Sequence, residues 1–149
     1  MIVGACDPGH PDALALLEEP SAVLTAITGD SGKSSFAVAD ARVESSLFVV
    51  ARDAAGGLLG CGALRPLDEG VAEVKRMYAR AATSGVAAAL LAHLEREAGG
   101  FGCAQIWLAT RRVNTRAIAF YRKQGYAEIA GYGKYVGRDE SICMGKHLG

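Results

Sequence analysis

Apolar and polar positions alternate along this chain in two periods, and the switches between them mark its elements. Ile2 to Cys6 is an apolar run suited to a strand, and Asp7-Pro8 supplies a cap and first turn for a helix to about Glu19, where Pro20 stops it. Ser21 can cap a second short helix to about Thr28, Gly29 to Ser35 reads as polar loop, and Phe36 to Glu44 fits a helical turn without requiring one. Leu47 to Arg52 and Leu58 to Leu67 are β-type runs joined by the hairpin sequence Asp53-Ala54-Ala55-Gly56-Gly57. Val71 to Ala79 follows Asp68-Glu69-Gly70 closely enough to extend the meander. Ala72 and Val74 share a face of this strand, yet the next core-facing apolar residue is Met77, an odd offset that a β-bulge would reconcile.

Beyond it the period becomes helical. Val86, Ala87, Leu90, Leu91, Leu94 and Ala98 form one stripe, with His93, Arg96 and Glu97 on other faces and Gly99-Gly100 ending the helix. Gln105 to Ala109 is a short buried-type strand. Asn114, Ala117, Ile118 and Tyr121 then share a helical face, Gly125 offers a left-handed stop, and Tyr126 opens an extended segment. Strands follow from about Ala127 and over Ser141 to Lys146. Neither a repeat nor a linker interrupts the order, so residues 1–149 read as a single domain.

Composition narrows the function classes. Half the residues are hydrophobic and 21% are charged, as in ordinary globules, and 16 basic residues balance 16 acidic ones. Without a field of one sign, nucleic acid and anionic membrane are not expected partners. Cys6, Cys61, Cys103 and Cys143 lie far apart without C-x-x-C spacing, which fits a reducing compartment better than a zinc knuckle or disulfide scaffold. No signal-peptide pattern or membrane-length apolar run is present, so the expected location is cytoplasmic.

The stretch Asn114 to Tyr126, N-T-R-A-I-A-F-Y-R-K-Q-G-Y, resembles the last conserved helix of the GNAT acyl-CoA N-acyltransferase superfamily, N-x-x-A-x-x-F-Y-x-x-x-G-F/Y, at every motif position. The order of elements is similar from end to end. That resemblance implies an α/β (α+β) fold with a mixed, mostly antiparallel twisted sheet flanked by helices, and direct transfer of acetyl from acetyl-CoA to a primary amine of a small molecule or peptide, without a metal. Homodimers are common in the family, while no long exposed apolar stripe in this sequence predicts an interface.

An acetyl-CoA enzyme must hold an anionic pyrophosphate, pair a peptide-like arm, polarise a thioester carbonyl and manage proton transfers. Helix N-termini suit the pyrophosphate, and Thr83, Ser84, Gly85, Val86 and Ala87 stand where the family pattern Q/R-x-x-G-x-G/A would place it. Ala82 replaces the Gln or Arg, and the approach from Tyr78 is about two residues shorter than the family loop. Ser84 could also simply cap its own helix. The shortened loop keeps open a rival reading, a non-catalytic GNAT-like module that binds CoA or a partner.

By the same resemblance the bulged strand would offer the backbone of Met77, Tyr78 and Ala79 to the arm and the thioester oxygen, and Asn114 and Ala117 would face the arm, although Asn114 could also simply cap its own helix. Glu73 matches the base-bearing position of histone-acetylating members. A base is useful because an amine with a pKa of about 10.4 is neutral in only on the order of one molecule in a thousand at pH 7. Glu73 could instead pair with a cation across the sheet. Tyr121 is the candidate acid for the leaving thiolate, or else a core residue with its hydroxyl at the edge. Tyr132 and Tyr135 could line an acceptor cleft or be exposed loop aromatics.

Other signals carry less. Gly32-Lys33-Ser34 imitates the end of a P-loop, but Ile27 holds the required first glycine position. His10, His93 and His147 lack partners at metal-ligand spacing and read as solvated or capping residues. Cys61 and Cys143 read as small hydrophobes.

Overall fold

The computed structural model describes residues 1–7, 9–18, 46–80 and 83–148. Seven strands build one sheet: β1 (Ile2–Ala5), β2 (Leu47–Arg52), β3 (Leu58–Asp68), β4 (Val71–Ala79), β5 (Gln105–Arg111), β6 (Ala127–Ile129) and β7 (Ser141–His147). Their spatial order is β1-β2-β3-β4-β5-β7-β6. Among these described strands only β4 and β5 pair in parallel, and the crossover that parallel pairing demands carries helix α2 (Val86–Gly100). The mixed, mostly antiparallel sheet expected from the sequence is therefore present.

A helix α1 covers 11–18, starting later than Asp7-Pro8 suggests. Asp7 spends its carboxylate on the Gly9 N–H (2.8 Å) and its carbonyl on the His10 N–H (2.9 Å), so it closes a turn before the helix. His10 Nδ1 then accepts the Asp12 N–H at 3.1 Å, with Pro11 in the first helical position. The expected stop at Pro20, second helix from Ser21, loop at Gly29 to Ser35, turn at Phe36 to Glu44 and Gly32-Lys33-Ser34 signal all lie outside the described residues.

Val86, Leu90, Leu91, Leu94 and Ala98 of α2 are buried against Val49, Leu64, Ala72, Val74, Ile106, Leu108 and Met144. Each fully buried leucine contributes roughly 1.5–3 kcal/mol to this face. Helix α3 (Thr115–Lys123) packs on the same face through Tyr121, Ala117 and Ile118. On the opposite face Ala13 and Leu16 of α1 cover Phe48, Val50, Cys61 and Ala63.

Two boundaries differ from the sequence reading. Gly99 and Gly100 remain helical, and the left-handed residue is Gly102 (φ 88°), because two glycines end a helix only where a positive φ is needed. Strand β5 runs past Ala109 to Arg111 because β7 pairs along its whole length, from Gln105↔His147 to Arg111↔Ser141.

Candidate active site

Strand β4 does most to shape the site. Its partners on β3 run from Arg65↔Glu73 through Ala63↔Lys75, then jump to Cys61↔Tyr78, so Arg76 and Met77 together oppose Gly62. This is the bulge that the Met77 offset implies. Arg76 absorbs it with φ 57°, a left-handed conformation rare outside glycine, and its guanidinium donates to the Leu17 carbonyl in the last described turn of α1. Beyond the bulge Met77 projects to the α2 face, over Gly62, where an added Cβ would lie 2.7 Å from the Met77 sulfur.

On the other edge of β4, pairing with β5 stops at Glu73↔Trp107. Val74 to Ala79 and Leu108 to Arg111 continue without meeting, so the two parallel strands splay apart. The Arg80 N–H donates to the Leu59 carbonyl at 2.8 Å, which fixes the alternation: Tyr78 bonds its main chain to Cys61, whereas Ala79 turns its N–H and C=O away from β3 toward the opening. By the same alternation Met77 faces the opening too.

Helix α2 begins at one end of this opening. Gly85, at φ 73°, is its cap and has no side chain to accept a first-turn N–H; Ser84 is exposed and stands one residue before the cap, so the reading of Ser84 as the helix cap does not hold. Thr83 spends its hydroxyl on the Arg80 carbonyl at 2.6 Å. The first-turn N–H groups around Val86 and Ala87 thus have no side-chain cap, and the turn holds no acidic residue. Ala82 lies outside the described residues.

Asn114 caps α3, its Oδ1 accepting the Ala117 N–H at 3.3 Å. Tyr121, one turn on, is buried with edge-on contacts to Phe120 (5.2 Å between centroids) and Tyr126 (5.7 Å). Burial pushes its phenol well above the ordinary range, so it keeps its proton throughout the neutral region. Tyr126 donates to Glu95 of α2 at 2.8 Å, and Lys146 bonds the same carboxylate at 3.2 Å, which ties the end of α3 to α2 and β7.

Glu73 and Tyr121 do not meet. Glu73 lies on the other face of the sheet from α2 and α3, at the last rung before β4 and β5 part. It is 0% exposed. Its Oε1 accepts from Arg65 Nε at 2.7 Å, and its Oε2 accepts from the Tyr132 hydroxyl at 2.6 Å, with Lys75 Nζ at 3.3 Å. Lys75, also buried, donates to the Tyr135 hydroxyl at 2.6 Å; at 5.0 Å from the ring centroid its ammonium sits at the hydroxyl end of the ring. Tyr132 rests against Trp107 (5.3 Å) and Tyr135 (5.5 Å). Burial, then the Glu73 charge, pushes the Tyr132 phenol strongly up. The alternative to a base reads Glu73 as paired with a cation across the sheet surface; Arg65 and Lys75 do pair with it, but inside the protein. Sequence reasoning misses Arg65 and Trp107. Counting back from the Asp68-Glu69-Gly70 turn finds Arg65, whereas Trp107 needs the parallel register.

Among the described residues, no group of three or more His, Cys, Asp or Glu is placed to hold a metal ion, and no helix is long and apolar enough to cross a membrane.

Comparison with known proteins fits this geometry. The acetyltransferase (GNAT) family model matches residues 15–126. The chain belongs to the GNAT acetyltransferase family. Within it, an IAA acetyltransferase from Azospirillum brasilense is 36% identical over 104 residues, 68% of this chain and 67% of the relative. A Klebsiella pneumoniae protein assigned as an acyl-CoA N-acyltransferase superposes with a TM-score of 0.83 at 25% identity, over 99% of this chain and 97% of its own. An aminoglycoside 6'-N-acetyltransferase solved with coenzyme A shares the fold at TM-score 0.70 and 18% identity, over 99% and 97% of the two chains. Other GNAT chains therefore keep this sheet at low identity, as expected where a fold hosts many acceptors.

Proposed function

We propose that this GNAT member transfers acetyl from acetyl-CoA to a primary amine of a small molecule or peptide. The observation that carries the reading is the splay of β4 from β5 beyond Glu73↔Trp107, with Ala79 turning into it main-chain groups that pair with neither strand. When bound, acetyl-CoA supplies an acetyl carbon whose bond to sulfur breaks as its bond to the amine nitrogen forms, leaving a thiol.

The chain's own groups fit that chemistry. The N-terminus of α2, from Thr83 to Ala87, has a positive dipole end and no side-chain cap, as a pyrophosphate needs. Met77 and Ala79 would pair the pantetheine arm and donate an N–H to the carbonyl oxygen, a contact whose loss typically costs about 10²–10³ in kcat. Tyr78 anchors this segment to β3. Asn114 caps α3 and Ala117 lies in its first turn, packed against the same core cluster as Met77 and Ala79. Tyr121 would donate a hydrogen bond to the departing sulfur; with its phenol pushed up, the sulfur's proton comes more readily from the nitrogen being acylated. Glu73 would be the final proton acceptor. Small-molecule acceptors are favoured by the relatives, one an IAA acetyltransferase and one an aminoglycoside acetyltransferase by name.

Calorimetric titration of CoA-free protein with acetyl-CoA tests this first, followed by thiol release with a panel of amines. We expect saturable binding in the range of about 1–100 µM and CoA release with at least one amine. Absence of both heat and competition by CoA would overturn the reading.

A further inference from the structure

We propose that Tyr132 is the group that takes the proton from the acceptor amine, passing its own to Glu73. This rests on the acetyl-transfer reading above and names the residue that touches the acceptor.

Glu73 cannot itself reach an amine, because it is completely buried and both its oxygens already accept hydrogen bonds. Among the described residues Glu73 has three partners through which a proton from outside could enter. Arg65 is a guanidinium and does not release a proton in proteins. Lys75 is itself buried, stands 3.3 Å away and points its ammonium at Tyr135. Tyr132, partly exposed like Arg65, carries a hydroxyl that can both give and accept a proton, and its 2.6 Å bond falls in the short range of a hydroxyl donating to a carboxylate.

The fold holds this hydroxyl in place. Tyr132 lies in Gly131-Tyr132-Gly133, after β6 and before a single 3-10 turn at Gly133–Tyr135. Gly133 has φ 54°, and a Cβ on Gly131 would come within 3.0 Å of the Tyr135 carbonyl, so both glycines let the loop fold back on itself. Trp107, the last β5 residue paired to β4, supports the ring from beneath. The hydroxyl therefore stands where the two strands part.

The step balances. An alkylammonium gives one proton to Tyr132 Oη while the Tyr132 O–H proton passes to Glu73 Oε2. The amine becomes neutral and nucleophilic, the tyrosine is unchanged, and the carboxylate becomes a carboxylic acid that returns its proton to solvent after product leaves. Among the described residues, Arg65, Lys75, Tyr135 and, from β7, Cys143 are the charged or titratable groups around this pair.

Tyr132→Phe removes the relay and keeps the ring. It should lower kcat/KM for the amine at pH 7 by about 10²-fold or more while acetyl-CoA affinity stays within about threefold. The deficit should shrink for weakly basic amines, already neutral at pH 7, and as pH approaches the amine's own pKa. Glu73→Gln should show the same dependence, and the double variant should be no slower than the worse single one. Wild-type protein that releases no CoA with any amine overturns the acetyl-transfer reading. An active wild type with an equally active Tyr132→Phe, deficits that multiply, or a deficit independent of amine basicity overturns the relay alone.

Discussion

Glu73 and Lys75 are the buried charged residues of the described core, and burial of an ion costs several kcal/mol unless partners replace its water. Arg65, Tyr132 and Tyr135 do so. The residue types were legible, since a carboxylate and a lysine alternate on one face of β4. Their enclosure was not, because Tyr132 comes from 59 residues away in sequence. Tyr121 is the opposite case: its motif marks it in the sequence, and the structure adds the burial that holds its proton. Tyr121→Phe should lower kcat by about 10- to 100-fold, the worth of a hydrogen bond to a charged group, with acetyl-CoA affinity little changed. Unaltered turnover from pH 6 to pH 9 would rule out the role.

At the scale of elements, β4 and α3 behave differently. The bulge in β4 is readable from the offset between Val74 and Met77, but that Arg76 is the residue in left-handed geometry, with its guanidinium on the Leu17 carbonyl, is not. Helix α3 is almost wholly local, with Asn114 as cap and Gly125 left-handed at φ 95°. Loss of the cap should cost about 0.5–1 kcal/mol, the low end for such caps because the bond is 3.3 Å long. Urea unfolding of Asn114→Ala against Asn114→Ser checks this, and Asn114→Ser should recover most of the loss. If Asn114→Ser keeps stability yet loses acetyl-CoA affinity, the side chain also serves the ligand.

For the whole molecule, Tyr121, Tyr126 and Tyr132 all have phenols pushed up, chiefly by burial and, for the latter two, also by the Glu95 and Glu73 carboxylates. A raised folded-state pKa contributes stability that is fully present below the unfolded value of about 10 and is lost as pH rises above it, because only the unfolded chain then releases protons. With three such groups the unfolding free energy should fall by up to about 4 kcal/mol per pH unit above pH 10, and these groups should contribute no slope below about pH 9. Urea midpoints between pH 8 and pH 11 measure it; a constant midpoint would contradict burial of these tyrosines.

The sequence by itself determined what depends on near neighbours: strand and helix periods, the bulge, the α3 cap and stop, and the motif that places the chain among acetyltransferases. Side-chain periodicity and capping act over a few residues, so a local reading suffices. Only the tertiary structure decided what depends on distant contacts. The parallel register of β4 and β5 sets where they part, sheet alternation puts Glu73 and Tyr121 on opposite faces, and the return of the Gly131 to Gly133 loop closes Tyr132 over Glu73. No local propensity encodes those meetings, because their free energy arises from burial and charge pairing between segments that touch only once the sheet is assembled.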